Sequence, residues 1–356
     1  TDMALDFNLN TFVVGSGSNA DFGNGALPGS IVVAKLFHGG GAEWSRSYGP
    51  ANSGSARSVG LYDGNDIVFG GEVTTASAVS FGGAALPAAS GKELPRGGAT
   101  FFPRYRLFGY VGYPGAAALG RLGTGDLEER VAEIEQKASE FAGGREVMPV
   151  MELIASVAHN TPGDDGLYRS HVSDEVITTW LAMARKHRAI LLLDIQPGRA
   201  AFLDEVKFFA KWLAEPDVGI ALDPEWAVGP TQVPGRQFGT VAASDLDACA
   251  AYVAGIVREK GLPEKVFLYH QLHPQIVTGE RALKEHDGIV LIKSVDGIGS
   301  RALKTATYKQ LVKVTPAYVH LGFKLFYEED TRKNGVLMTP AEVLALDPQP
   351  EYVLFE

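Results

Sequence analysis

Ile190-Leu191-Leu192-Leu193-Asp194-Ile195-Gln196-Pro197-Gly198 and Val218-Gly219-Ile220-Ala221-Leu222-Asp223-Pro224-Glu225-Trp226 are two copies of one design, a continuous apolar run that stops at a carboxylate and a proline turn. Between them, Phe202, Val206, Phe209 and Leu213 fall on one helical stripe, with Asp204, Glu205, Lys207 and Lys211 largely off it. Strands apolar on both faces, joined by an amphipathic crossover, form a parallel sheet covered by helices.

Working outward, the same alternation runs from Arg106 to the end of the chain. Strands are predicted at Leu107 to Tyr113, Glu146 to Ser156, Ile190 to Asp194, Val218 to Asp223, Lys265 to His270, Gly288 to Ser294, Val319 to Tyr327 and Glu351 to Phe355. Helices are predicted at Asp126 to Phe141, Ser173 to His187, Phe202 to Leu213, Ser244 to Lys260, near Glu280 to Glu285, Thr305 to Val314 and Thr339 to Leu346. Eight alternations in about 250 residues fit an α/β fold, a (β/α)8 TIM-like barrel over residues 98–356. A doubly wound open sheet is the alternative, but Tyr113-Pro114-Gly115-Ala116 carries no GxGxxG fingerprint and there is no P-loop.

Residues 1–97 have another texture, rich in Gly, Ser and Ala, with short alternating runs that predict a small all-β module. Strands are expected at Thr11 to Gly15, Ile31 to Leu36, Ala42 to Tyr48, Arg57 to Tyr62 and Asp66 to Gly71, the last two joined by the hairpin signal Asp63-Gly64-Asn65-Asp66. Phe12-Val13-Val14-Gly15 followed by Asp21-Phe22-Gly23-Asn24-Gly25-Ala26-Leu27 returns as Ile67-Val68-Phe69-Gly70 followed by Ser80-Phe81-Gly82-Gly83-Ala84-Ala85-Leu86. With Glu43-Trp44-Ser45-Arg46-Ser47-Tyr48-Gly49, this unit resembles the bacterial β-propeller repeat of secreted and surface proteins. The segment is too short to close a propeller. It is therefore a sheet packed on the next domain, part of a truncated propeller, or a module for self-association through open strand edges. Leu86 to Ala99, with Pro87, Pro95 and Gly97-Gly98, reads as the linker.

The net charge of −10 and the lack of any Lys/Arg cluster exclude nucleic acid as a partner and disfavour an anionic membrane. No run has the length of a membrane-spanning helix, and no membrane insertion is expected. Thr1 begins without a signal peptide, which reads as a mature or trimmed product. The single Cys249 lies in a helical stretch and reads as an inert core thiol.

In a barrel the chemistry stands at the carboxyl ends of the strands. There the chain places Glu152; Asp194 and Gln196; Asp223, Glu225 and Trp226; His270 and Gln271; Lys293 and Asp296; Tyr327 to Asp330; and Glu356. Strand periodicity puts Asp223 and Glu225 on one side, and two close carboxylates drive one pKa up, leaving a proton donor beside an ionised partner. Glycosidic cleavage needs that pair. Asp223-Pro224-Glu225 resembles the DxE arrangement of chitinase-like and lysozyme-like glycosidases, which implies Glu225 as the acid and Asp223 as the residue orienting an acetamido group. The further acids that pattern carries upstream correspond here to Gly219 and Ala221.

Asp194 completes the catalytic set. Glu152, Gln196, His270, Gln271, Asp296 and Glu356 are expected to meet sugar hydroxyls, and Tyr113, Trp226 and Tyr327 to stack on sugar rings. Each has a plainer reading, a tryptophan after a strand as packing and His270 as a hydrogen-bonded core histidine. Metal binding by Glu152, Asp194, Asp223, Glu225, Asp296 and His270 competes: the absence of HxH or HExxH spacing argues against zinc and leaves a hard cation held by carboxylates and water, and no metal or other cofactor is assigned. Lys293 and Lys324 read as ion-pair partners rather than Schiff-base lysines.

Tyr113-Pro114-Gly115, Leu193-Asp194-Ile195-Gln196-Pro197-Gly198-Arg199, Ala221-Leu222-Asp223-Pro224-Glu225-Trp226, Tyr269-His270-Gln271, Lys293-Ser294-Val295-Asp296-Gly297 and Lys324-Leu325-Phe326-Tyr327-Glu328-Glu329-Asp330 together resemble a family of uncharacterised secreted bacterial barrel proteins. The resemblance implies the barrel and export, to the medium or the cell surface, and no particular reaction. The expected function is hydrolysis of an extracellular or cell-wall polysaccharide. The alternatives are a non-catalytic glycan-binding or surface-assembly protein and a carboxylate-metal hydrolase.

Overall fold

The apolar runs pair edge to edge in the computed structural model, which describes residues 2–5, 11–16, 20–22, 26–27, 29, 31–36, 42–48, 54–62, 66–73, 93–332 and 335–356. Strands β1 (Tyr105–Gly112), β2 (Glu146–Ala158), β3 (Ile190–Ile195), β4 (Val218–Leu222), β5 (Lys265–Gln271), β6 (Ile289–Val295), β7 (His320–Leu325) and β8 (Tyr352–Phe355) each pair in parallel with the next. Strand β8 pairs with β1, so the sheet is a closed eight-stranded parallel barrel with no free edge.

Helices occupy most of the crossovers: α1 (Leu127–Ala138), α2 (Asp174–Lys186), α3 (Phe202–Phe208), α4 (Ala210–Leu213), α5 (Ala243–Lys260), α6 (Arg301–Leu311) and α7 (Pro340–Leu344). Three differ from the sequence expectation. The stretch from Phe202 to Leu213 is divided at Phe209, and α6 starts at Arg301, where the Ser300 hydroxyl accepts from the Leu303 amide. The β5–β6 crossover holds only a 3-10 turn, Glu280–Ala282.

Alternation along the strands divides the core in two. Phe108, Leu153, Leu193, Phe267, Leu291, Phe323 and Phe355 face outward and pack under the helices. Leu107, Val150, Leu192, Val266, Leu268, Ile292 and Leu354 belong to the barrel interior. Each such side chain contributes about 1.5–3 kcal/mol when fully buried. The interior leaves no spare volume at Gly219, where a Cβ would lie 2.6 Å from Leu192 Cδ2 and 2.8 Å from the Val266 carbonyl.

The chain divides into two compact units, Thr1–Lys92 and Glu93–Glu356. The second half of the stretch read as a linker is thus part of the barrel unit. Leu94 and Phe101 are buried with the barrel interior, Arg96 donates to the Val147 carbonyl at the start of β2, and the Phe101 amide donates to Glu264, one residue before β5. These contacts close the amino-terminal end of the barrel with apolar side chains.

In the first unit, Asp2–Leu5, Thr11–Ser16, Ile31–Leu36 and Ala42–Tyr48 form a four-stranded antiparallel sheet in that order. Gly54–Tyr62 and Asp66–Val73 form a separate antiparallel hairpin, and Val14, Ile31, Val33 and Ala56 share one small core. The hairpin's turn, the second copy of the repeat after Val73 and the start of the expected linker lie outside the described residues.

Candidate functional site

The carboxyl-terminal half of the barrel interior is polar. On β2 the buried alternation Met148, Val150 is continued by Glu152, on β3 Ile190, Leu192 by Asp194, and on β5 Val266, Leu268 by His270. Past the strand ends the ladder runs on: the amide of Asp223 donates to the Ile195 carbonyl, that of Asp296 to Gln271, and that of Glu356 to Leu325. Those bonds hold the end residues in register. Glu152 and His270 have no solvent exposure, and Asp194, Asp223 and Asp296 are buried as well.

Within this layer His270 is the hub. Its Nδ1 bonds to Asp296 Oδ2 at 2.8 Å, and its Nε2 lies 3.2 Å from Glu152 Oε1. The Ser294 hydroxyl donates to Asp296 Oδ1 at 2.7 Å, and the Tyr352 hydroxyl to Glu152 Oε2 at 3.0 Å. Lys324 reaches Glu356 at 2.6 Å and Asp296 at 3.5 Å, and Gln196 bridges the Ala158 amide to Asp223 Oδ2. Lys324 is an ion-pair partner as the sequence reading expected, while Ser294 and Tyr352 are site residues that reading did not single out.

Charge is distributed unevenly across the group. Burial works against charge throughout, yet His270 is held well above the usual imidazole range by Asp296, Glu152 and Asp223. Lys324 is likewise raised by Glu356 and Asp296, and both stay cationic at neutral pH. Those two cations overcome burial at Asp296 and hold its carboxyl down at about 2. At Asp194 burial and the Asp223 charge act together, and its carboxyl is pushed well up. Asp223 is raised, mainly by burial, against the pull of His270 and Lys324.

Glu225 is half-buried at the edge of the layer. Strand β4 ends at Leu222, and Pro224–Trp226 forms a 3-10 turn, so this turn, rather than the strand periodicity expected from sequence, sets where Glu225 lies relative to Asp223. Glu225 lines a cavity of about 300 Å³ with Trp226, Gly235, Arg236, Gln237 and Phe238. Its Oε2 is buried and has no hydrogen-bond partner among the described residues. Burial, then the charges of Asp223 and Asp296, push its carboxyl up to about 8.

No protein-family model matches the chain, and no curated protein is significantly similar to it.

The other sequence candidates are more scattered. Tyr327 packs edge-on to Tyr110 and against Phe355, its hydroxyl 3.1 Å from that of Tyr110, and lines a different cavity with Glu356 and Arg121. Tyr113 is half-buried against both core layers. Gln271 is buried, with its amide nitrogen on the His273 carbonyl and its Oε1 unpartnered. Lys293 points away from the layer altogether, bound to Glu280 and the Leu311 carbonyl. Cys249 is buried, its thiol pushed up to about 12 mainly by desolvation, consistent with an inert core thiol.

An unpaired buried polar atom costs about 1–3 kcal/mol. Among the described residues, Glu152 Oε1, Asp194 Oδ1, Glu225 Oε2, His270 Nε2 and Gln271 Oε1 lack a hydrogen bond and lie in or beside this layer, while Arg130 Nε and His187 Nε2 lack one elsewhere. These groups are the polar atoms of the layer open to a ligand, an ion or a water.

Proposed function

We propose that the barrel hydrolyses glycosidic bonds, in the finer (β/α)8 sense of the fold, with Glu225 as general acid and Asp223 as its partner. The observation that carries the reading is the position of Glu225, whose buried, unpartnered carboxyl oxygen adjoins a cavity walled by Trp226 and Phe238. Held protonated at neutral pH, Glu225 gives its proton to the glycosidic oxygen as the bond to the anomeric carbon breaks. The negative charge of Asp223 offsets the positive charge that develops on the sugar, and water adds its oxygen to the anomeric carbon while its released proton passes to the Glu225 carboxylate and restores the acid. Trp226 offers an apolar ring face for a sugar, Gln196 orients Asp223, and Asp194, which feels the Asp223 charge, acts in support.

The substrate class in this reading is an extracellular or cell-wall polysaccharide, including one built on N-acetylhexosamine. Location outside the cell follows from the resemblance to secreted barrel proteins and to the propeller repeat. No helix among the described residues is long and apolar enough to cross a membrane. A non-catalytic glycan-binding or surface-assembly role is the second reading. It draws on Lys324, which ties Asp296 and Glu356, and on the outer strands Asp2–Leu5 and Ala42–Tyr48, each paired on one side only among the described residues.

Release of reducing ends from a panel of polysaccharides, with chitin and peptidoglycan fragments included, separates the two. The hydrolase reading expects turnover by the wild type and a loss of at least about 100-fold in Glu225→Gln. Retention of a glycan without turnover by either protein favours the binding reading.

A further inference from the structure

Three of the side chains with an atom outside any hydrogen bond lie together, deeper than Glu225. Glu152, Asp194 and His270 each bring one ligand atom within 4.8 Å of the other two, Glu152 Oε1 and His270 Nε2 lying 3.2 Å apart, and each side chain is at least nine-tenths buried. They come from β2, β3 and β5, so no local spacing such as HxH could have announced them. Their remaining contacts follow the pattern of metal ligands. The His270 Nδ1 side is occupied by Asp296, itself fixed by Ser294, and Nε2 faces Glu152 Oε1 at 3.2 Å, so a cation bound there takes the place of the Nε2 proton. Glu152 keeps its other oxygen on the Tyr352 hydroxyl and turns Oε1 to the shared point.

We propose that Glu152, Asp194 and His270 form a binding site for one divalent transition cation of the Mn2+ or Zn2+ class. The donor set decides the class: two carboxylates and one imidazole suit borderline to hard divalent ions, and two negative charges balance the ion. Ligands about 2.1 Å from one ion sit about 3–4 Å apart, so the three atoms need only draw inward by fractions of an ångström to about 1 Å. Asp296, Ser294 and Tyr352 are positioning residues that aim the ligands. The site shares Asp194 with the glycosidase reading but uses neither Glu225 nor the cavity at Trp226, so it is tested by metal binding without reference to turnover.

The test uses the full chain, stripped with a chelator and then titrated with Mn2+ or Zn2+ alone, reading stoichiometry by calorimetry and by metal retained through gel filtration. One equivalent is expected in the wild type and in Glu225→Gln, with loss of binding in Asp194→Asn and His270→Gln. Tyr352→Phe, which keeps the ring, should weaken affinity by about 10- to 100-fold. Should the ligand variants fail to fold, the spin-echo spectrum of wild-type protein with Mn2+ decides the matter, since an imidazole nitrogen on the ion gives nitrogen modulation. Absence of stoichiometric binding, binding undiminished in folded Asp194→Asn, or a Mn2+ spectrum without that modulation would overturn the assignment.

Discussion

The two ends of the barrel interior are built on the same strands, equally buried and opposite in chemistry. Toward the amino-terminal end Leu107, Val150, Leu192, Val266 and Ile292 interdigitate, with Leu94 and Phe101 as the floor. Toward the other end the same alternation brings Glu152, Asp194, His270, Asp296 and Lys324 into one layer. The lower layer is what apolar burial produces when nothing else is asked of it. The upper layer concentrates desolvated charge and unpaired atoms, which folding alone would disfavour.

Breaking one partner of a buried ion pair is expected to have the largest effect. Lys324→Met leaves Asp296 with less compensation and Glu356 without its contact, and should lower stability by about 3–5 kcal/mol in urea unfolding. In the lower layer Leu192→Ala should cost about 2–5 kcal/mol through the cavity it opens, with metal affinity and hydrolysis per folded molecule retained.

The comparison sharpens with Asp194→Asn in chelator-stripped protein, where the sign reverses. A carboxyl raised by folding gives its full stability below its unfolded pKa and loses it as pH rises toward the folded value. At pH 7 Asp194 is therefore a cost, and Asn should raise stability by about 0.5–2 kcal/mol.

The smallest effect is a slope. With its folded value near 8 against an ordinary 4.5, Glu225 contributes stability that is complete below about pH 4.5 and is lost as pH rises through 8. Thermal midpoints should thus decline with pH more gently in Glu225→Gln than in wild type across pH 5 to 8. Partial solvent contact of the side chain keeps the difference below about 1.4 kcal/mol per pH unit. Activity, resting on the protonated acid, should fall above about pH 8.

The strands and the acids at their ends were legible because parallel strands buried on both faces read as continuous apolar runs that polar residues terminate. The same double burial hides which face of a strand looks inward. Lys293 and Lys324 look alike in sequence, yet Lys293 binds Glu280 outside the layer while Lys324 binds Asp296 within it. Tyr352 sits two residues before Leu354 and four before Glu356, a parity that assigns it to the interior only once β8 is known to close on β1. The pairing of His270 with both Glu152 and Asp296 joins residues of three different strand ends, and no local pattern encodes it. The floor made by Leu94 and Phe101 was hidden by proline and glycine punctuation that reads as a linker.

Asp223→Asn tests most directly whether the polar layer exists for function. Its thermal midpoint and its release of reducing ends, measured in parallel with wild type on the same polysaccharide panel, should part company: hydrolysis falls by about 100-fold or more, while the midpoint is unchanged or higher. Hydrolysis equal to wild type, a loss matched by a lower midpoint, or no hydrolysis by the wild type on any substrate would contradict the account and leave the layer a structural one.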